Sequence, residues 1–154
     1  MMRTTMVLAL LLGMTAAAEG QSAGDGTAAT TGPSFNDGLK SAIERHLGRR
    51  YEWGSSGIKS FDCSGFVWRV LSENGLLLKR TTARKYYMML KPVSKADQGK
   101  FGTLVFFDDL KHVGIVDSPD AFYHAHVTGG TSRSEMNAFW QRQIYGFRRL
   151  PIAP

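Results

Sequence analysis

The chain has 154 residues, with 19 Lys and Arg against 13 Asp and Glu, and a net charge of +6. That length fits one domain, and the basic balance suits an anionic polymer, cell wall or nucleic acid, as a partner. A single cysteine excludes a disulfide framework, and no paired-cysteine spacing of a structural zinc site is present.

Arg3 opens a basic amino-terminal region, residues 6–14 (MVLALLLGM) form an apolar core, and Ala16, Ala17 and Ala18 supply small residues for cleavage. This pattern predicts an export signal over residues 1–18, removed after Ala18. The apolar run is about half of the ~20 residues that a spanning helix needs, so no stable membrane insertion is expected. No cysteine lies near the cleavage point to carry a lipid. The mature chain is expected in the periplasm or outside the cell. Export, and the lack of an aromatic-and-basic motif, argue against a nucleic-acid partner. Residues 19–33 (EGQSAGDGTAATTGP) lack large apolar side chains and read as a flexible linker. The folded part then runs over 34–154, about 120 residues, enough for one core.

Ser34 caps a helix whose Phe35, Leu39, Ala42, Ile43 and Leu47 share a face; Asp37 supports its start and Gly48 ends it. His46 lies beside that stripe and reads as structural. After an irregular stretch over 53–60, Asp62 precedes the apolar-periodic Phe66, Val67, Val70 and Leu71, and Gly75 follows. Asp is a preferred N-cap and Gly a preferred residue just past a helix, which puts Cys63 in the first turn. Thr81 or Thr82 caps a short helix over 83–90, stopped before Pro92. The period then changes. Runs at 104–107, 112–116, 121–127 and 144–147 are short, apolar and bounded by Asp, Pro or Gly. They predict an antiparallel meander. Helices first and strands later make an α+β architecture.

A lone thiol in an exported chain is either a small core residue or a reactive group. At a helix start, free backbone N–H groups and the dipole favour the thiolate. The dipole supplies only roughly 0.3–1 kcal/mol, less than one pKa unit at ~1.36 kcal/mol per unit. Carrying the thiol well below ~8.5, as expected here, needs an imidazolium partner. A cysteine nucleophile also needs a third group to orient its base. His112, His124 and His126 are the candidates. The last two, two residues apart, face the same side of a strand, and periodicity does not separate them. The same side chains could serve as zinc ligands, with Cys63 and His112 joined by His124 or His126. Their spread over a helix and two strands is equally what a triad needs, and no paired-ligand motif accompanies them. No metal is expected.

Tyr51-Glu52-Trp53-Gly54, Phe61-Asp62-Cys63-Ser64-Gly65-Phe66-Val67, Arg80-Thr81-Thr82, Leu104-Val105-Phe106-Phe107 and His112-Val113-Gly114-Ile115 follow one another, and Phe122-Tyr123-His124-Ala125 comes after them. In that order they resemble the NlpC-type family of bacterial cell-wall cysteine peptidases, from about Phe35 to Leu150. The resemblance implies a papain-like fold, with N-terminal helices packed on a small antiparallel β-sheet and no cofactor. It also implies hydrolysis of amide bonds in peptidoglycan stem peptides, usually between D-glutamate and the following diamino acid. Carried over by position, Cys63 matches the nucleophile, His112 the base and His124 the polar residue that orients His112. Tyr51 matches a tyrosine that helps position the nucleophile or the oxyanion. Asp62, Ser64 and Arg80 match residues lining the substrate cleft. The Cys63 backbone N–H would be one oxyanion donor.

Ser55, Lys79, Lys85 and Thr103 stand where the family usually has Gly, Pro, Gln and Asp. They bear on substrate preference rather than on the triad. Two other readings share these residues: an exported interbacterial amidase toxin of the same chemistry, and a non-catalytic wall-binding module. The intact Cys63, His112 and His124 argue against the second. No sequence feature identifies an immunity or inhibitor protein.

Overall fold

A computed structural model describes residues 34–152. The expected export signal and linker lie outside the described residues. Helix α1 (Phe35–Arg45) starts where the Ser34 hydroxyl accepts from the Asp37 amide and the Asp37 carboxylate accepts from the Ser34 N–H. This reciprocal cap satisfies two orphan donors. The helix stops short of Gly48, because the His46 N–H turns back to the Ile43 carbonyl. Buried Leu39, Ala42 and Ile43 form its inner face. Helix α2 (Cys63–Glu73) buries its first five residues together with Val70 and Leu71. Helix α3 (Ala83–Met89) is capped by Thr82, whose hydroxyl accepts from the Lys85 amide. Arg50–Tyr51 (β1) and Ser60–Phe61 (β2) pair as a short parallel ribbon that leads into α2.

The main sheet contains β3 (Leu104–Phe107), β4 (His112–Ser118), β5 (Ala121–His126), β6 (Gly130–Glu135) and β7 (Ile144–Arg148). Its order is β6-β5-β4-β3-β7, antiparallel throughout. The four strands expected from apolar runs are there. β6 is an addition; its residues GTSRSE contain no large apolar side chain. Helix α4 (Ala138–Gln143), capped by Asn137, was likewise not signalled by periodicity.

Alternation along the strands divides the core. Leu104, Phe106, Val113, Ile115, Tyr123 and Ala125 face α1 and α2. Val105, Phe107, Val116 and Phe122 face the other way, packed with Met136, Trp140, Ile144 and Phe147. Burying each large apolar side chain contributes about 1.5–3 kcal/mol. The two-residue period sends His112, His124 and His126 to this second face, beside Phe122 and Trp140. Gly114 makes that face possible: a Cβ there would stand 2.7 Å from the Phe122 ring and 2.8 Å from the Tyr123 carbonyl.

Candidate active site

The site begins where α2 begins. Asp62 Oδ1 accepts from the Gly65 amide at 2.6 Å and from the Ser64 hydroxyl at 3.0 Å. A Cβ on Gly65 would lie 2.1 Å from the Ser55 carbonyl, so only glycine lets the helix start pack this closely. Arg80 Nη2 donates to both Asp62 oxygens, at 2.9 and 2.8 Å, while its Nη1 donates to Ser64 Oγ at 2.9 Å and to the Thr81 carbonyl. Asp62, Ser64 and Arg80 line a cleft of about 500 Å³ with Cys63. Their polar atoms are engaged with one another, however, and they hold the first turn of α2 around the thiol.

Cys63 is 7 % exposed, and its thiol donates to the Lys111 carbonyl at 3.7 Å. Burial pushes its pKa up to about 11, and the Asp62 carboxylate adds to the rise. The amides of Val113, Ser64 and Cys63 itself pull in the opposite direction, but burial outweighs them. The thiolate expected from the helix start is therefore not the resting form in this structure. A dipole effect under one unit cannot offset desolvation of this size.

His112 opens β4 directly after a turn in which Asp108, Asp109 and Leu110 have φ of 48°, 49° and 69°. Left-handed backbone is tolerated by Asp and unfavourable for Leu, so this turn stores strain beside the site. It delivers His112 to a second, smaller cleft of about 190 Å³, lined also by Tyr51, Cys63, Lys111 and His126. Cys63 and Lys111 border both clefts. Tyr51 is half-buried there, and burial, then Cys63 and Asp62, raise its pKa, which keeps it a neutral hydroxyl.

His112 Nε2 meets His124 Nδ1 at 2.7 Å, and His124 Nε2 meets Ser134 Oγ at 2.9 Å. His126 shares their face but turns its Nδ1 to Thr128 Oγ1 at 3.0 Å. Burial lowers the His112 pKa to about 4, helped by His126. Burial also lowers His124 to about 3, with His112 and then His126 contributing. Both imidazoles rest neutral. Trp140 stacks on the His112 ring, centroids 5.6 Å apart at 26°, and presents an edge contact to His124 at 5.1 Å.

Ser134 and Trp140 escaped the sequence reading. The Gly129-Gly130 turn after β5 was the available signal for a return strand carrying Ser134, and Asn137 was a cap signal for α4. A cavity of about 510 Å³ against Phe35, Pro92, Phe101 and Leu150 is as large as the main cleft, but no thiol or imidazole lines it. Among the described residues, no three His, Cys, Asp or Glu side chains are grouped to hold a metal ion.

Residues 48–149 match the NlpC/P60 family, and the chain belongs to it. Over 115 residues it is 35% identical to the probable endopeptidase p60 of Listeria innocua, an alignment covering 73% of this chain and 24% of that protein. It is 38% identical over 108 residues to the murein DD-endopeptidase MepS/murein LD-carboxypeptidase of Escherichia coli K12, covering 67% of this chain and 56% of that one. The solved structure of a lipoprotein-like NLP/P60 family protein from Staphylococcus aureus Mu50 superposes with a TM-score of 0.68 at 26% identity, covering 80% of this chain and 45% of the other. The chain thus spans only a part, 24% to 56%, of these relatives' lengths. The α+β architecture read from the sequence is the architecture of this family's solved structures.

Proposed function

We propose that this chain is a secreted cysteine peptidase that hydrolyses amide bonds in peptidoglycan stem peptides, at the bond between D-glutamate and the following diamino acid. The observation that carries the reading is the 2.7 Å hydrogen bond between His112 Nε2 and His124 Nδ1, beside a thiol at the start of α2. The endopeptidase names of the p60 and MepS relatives support the reaction class. The basic charge of the chain suits an anionic wall. On this reading residues 1–18 are a cleaved export signal, 19–33 a linker and 34–154 the catalytic domain.

Since Nε2 of His112 is occupied by His124, Nδ1 is the nitrogen left to take the thiol proton. To accept at Nδ1, His112 carries its resting proton on Nε2 and donates it to His124 Nδ1. Cys63 Sγ attacks the scissile carbonyl carbon as its proton passes to His112 Nδ1. The Cys63 backbone N–H, an orphan at the helix start, and the Tyr51 hydroxyl stabilise the oxyanion. Collapse breaks the C–N bond, and the imidazolium proton leaves with the amine. Water then attacks the thioester, His112 takes its proton, and the acid departs with the thiol restored. Asp62, Ser64 and Arg80 keep the first turn of α2 in place through these steps. Arg84 and Lys111, cations on the larger cleft, suit the free carboxylates of a stem peptide.

Incubating the full chain and its Cys63→Ala form with purified sacculi, followed by mass analysis of released fragments, tests this. Wild type is expected to release fragments ending in free D-glutamate, and the variant none. Equal release by both, or no release by either, would overturn the proposal. Fragments cut at the sugar–peptide link would keep the chemistry and replace the substrate bond.

A further inference from the structure

We infer that Ser134 is a positioning residue for the base, acting through His124. This rests on the peptidase reading above and extends it by one residue. The triad logic assigns His112, as base, an Nε2 proton donated to His124 Nδ1. His124 must then present a bare Nδ1 lone pair, and its own proton belongs on Nε2. Only an acceptor on the far side of the ring makes that tautomer the comfortable one, because a buried N–H without a partner is costly. Ser134 Oγ, 2.9 Å from His124 Nε2, is that acceptor.

The sheet register explains how a serine comes to stand there. On β6, Ser134 lies opposite Phe122 and Ser132 lies opposite His124. All four share one face, so Ser134 reaches the His124 ring along the diagonal while Ser132, directly across, makes no side-chain hydrogen bond to it. When His112 becomes imidazolium during attack, part of the positive charge spreads to His124. The Ser134 lone pair then accepts from an N–H that the neighbouring imidazolium has polarised, and such a hydrogen bond is worth more than the one in the resting pair. The contribution therefore grows toward the transition state and should appear in kcat rather than in KM.

The test compares Ser134→Ala, Ser134→Thr and Ser132→Ala in turnover of a wall-derived peptide, with imidazole nitrogen NMR on each folded protein. Wild type should show His124 with its proton on Nε2 and a bare Nδ1. Ser134→Ala should lower kcat about tenfold with KM little changed, and the His124 spectrum should become a mixture of tautomers. Ser134→Thr keeps the hydroxyl and should restore both readouts. Ser132→Ala should match wild type in both. A wild-type spectrum with the His124 proton on Nδ1 overturns the inference without any variant. So does a Ser134→Ala form with undiminished kcat and a single Nε2–H tautomer, or a loss of kcat equal in all three variants. If wild type cuts no wall peptide, the peptidase reading fails, and the tautomer spectra still decide the role of Ser134.

Discussion

Two polar clusters flank Cys63 and work on opposite principles. On one side Asp62, Ser64 and Arg80 form a charged knot: a carboxylate takes two guanidinium bonds, an amide bond and a hydroxyl bond, all between 2.6 and 3.0 Å. On the other side His112, His124 and Ser134 form a neutral file joined at 2.7 and 2.9 Å. A knot whose opposite charges are paired with each other suits holding a helix start still. A file of neutral groups with convertible donor and acceptor roles suits moving a proton. Burial is what keeps the file neutral, since it lowers both imidazoles far below an ordinary histidine. Buried surroundings thus hold a paired, charged cluster on one side of one thiol and a neutral one on the other.

Removing members of the file should cost most. His112→Ala should lower turnover of a wall-derived peptide by about 10³-fold or more, as loss of a triad base does, with the circular dichroism of the fold retained. His124→Ala should follow at about 10²-fold or more, whereas His126→Ala, whose Nδ1 serves Thr128, should stay within a few-fold. Equal activity of His124→Ala and wild type beside an inactive His126→Ala would exchange their roles.

The pH dependence of stability sharpens the contrast. His112 and His124 titrate at about 4 and about 3 when folded, below their ordinary value of 6.5. The unfolded chain therefore binds more protons across that window. This stabilisation is complete above about pH 6.5 and is lost progressively as pH falls toward about 3, on the order of several kcal/mol at ~1.36 kcal/mol per unit. Urea midpoints at pH 7 and pH 5 would read it; a midpoint higher at pH 5 would refute neutral burial. On the knot side, Arg80→Met should cost about 2 kcal/mol in the same urea assay, by leaving a buried Asp62 carboxylate without its guanidinium donors. A variant as stable as wild type would mean that the knot holds nothing.

The sequence showed most clearly what is decided locally. Asp62 as cap and the apolar spacing of Phe66, Val67, Val70 and Leu71 put Cys63 at a helix start, where it stands. The apolar runs marked four strands because both faces of the sheet are buried over β3 and most of β4 and β5. β6 was invisible for the converse reason, being a polar edge strand in which exposed Arg133 and Glu135 alternate with half-buried serines. Ser134 went with it, since its partner lies across a strand register that no local pattern encodes. The choice between His124 and His126 has the same origin. They share a face, and only the direction of each ring separates one hydrogen-bonded to His112 from one hydrogen-bonded to Thr128. The thiol's pKa was misjudged because helix position is local and burial is tertiary.

The neutral resting pair is the claim that most distinguishes the file from the knot, and the pH dependence of Cys63 alkylation tests it directly. Iodoacetamide labelling of the free wild-type protein, followed by intact-mass analysis, should give a rate that climbs without a plateau toward about pH 11, where the buried thiol ionises. The same preparation should cleave sacculi at neutral pH, with His112 taking the proton only as the thiol attacks. A labelling rate that is already high and flat between about pH 5 and 8 would reveal a preformed thiolate–imidazolium pair and contradict the account.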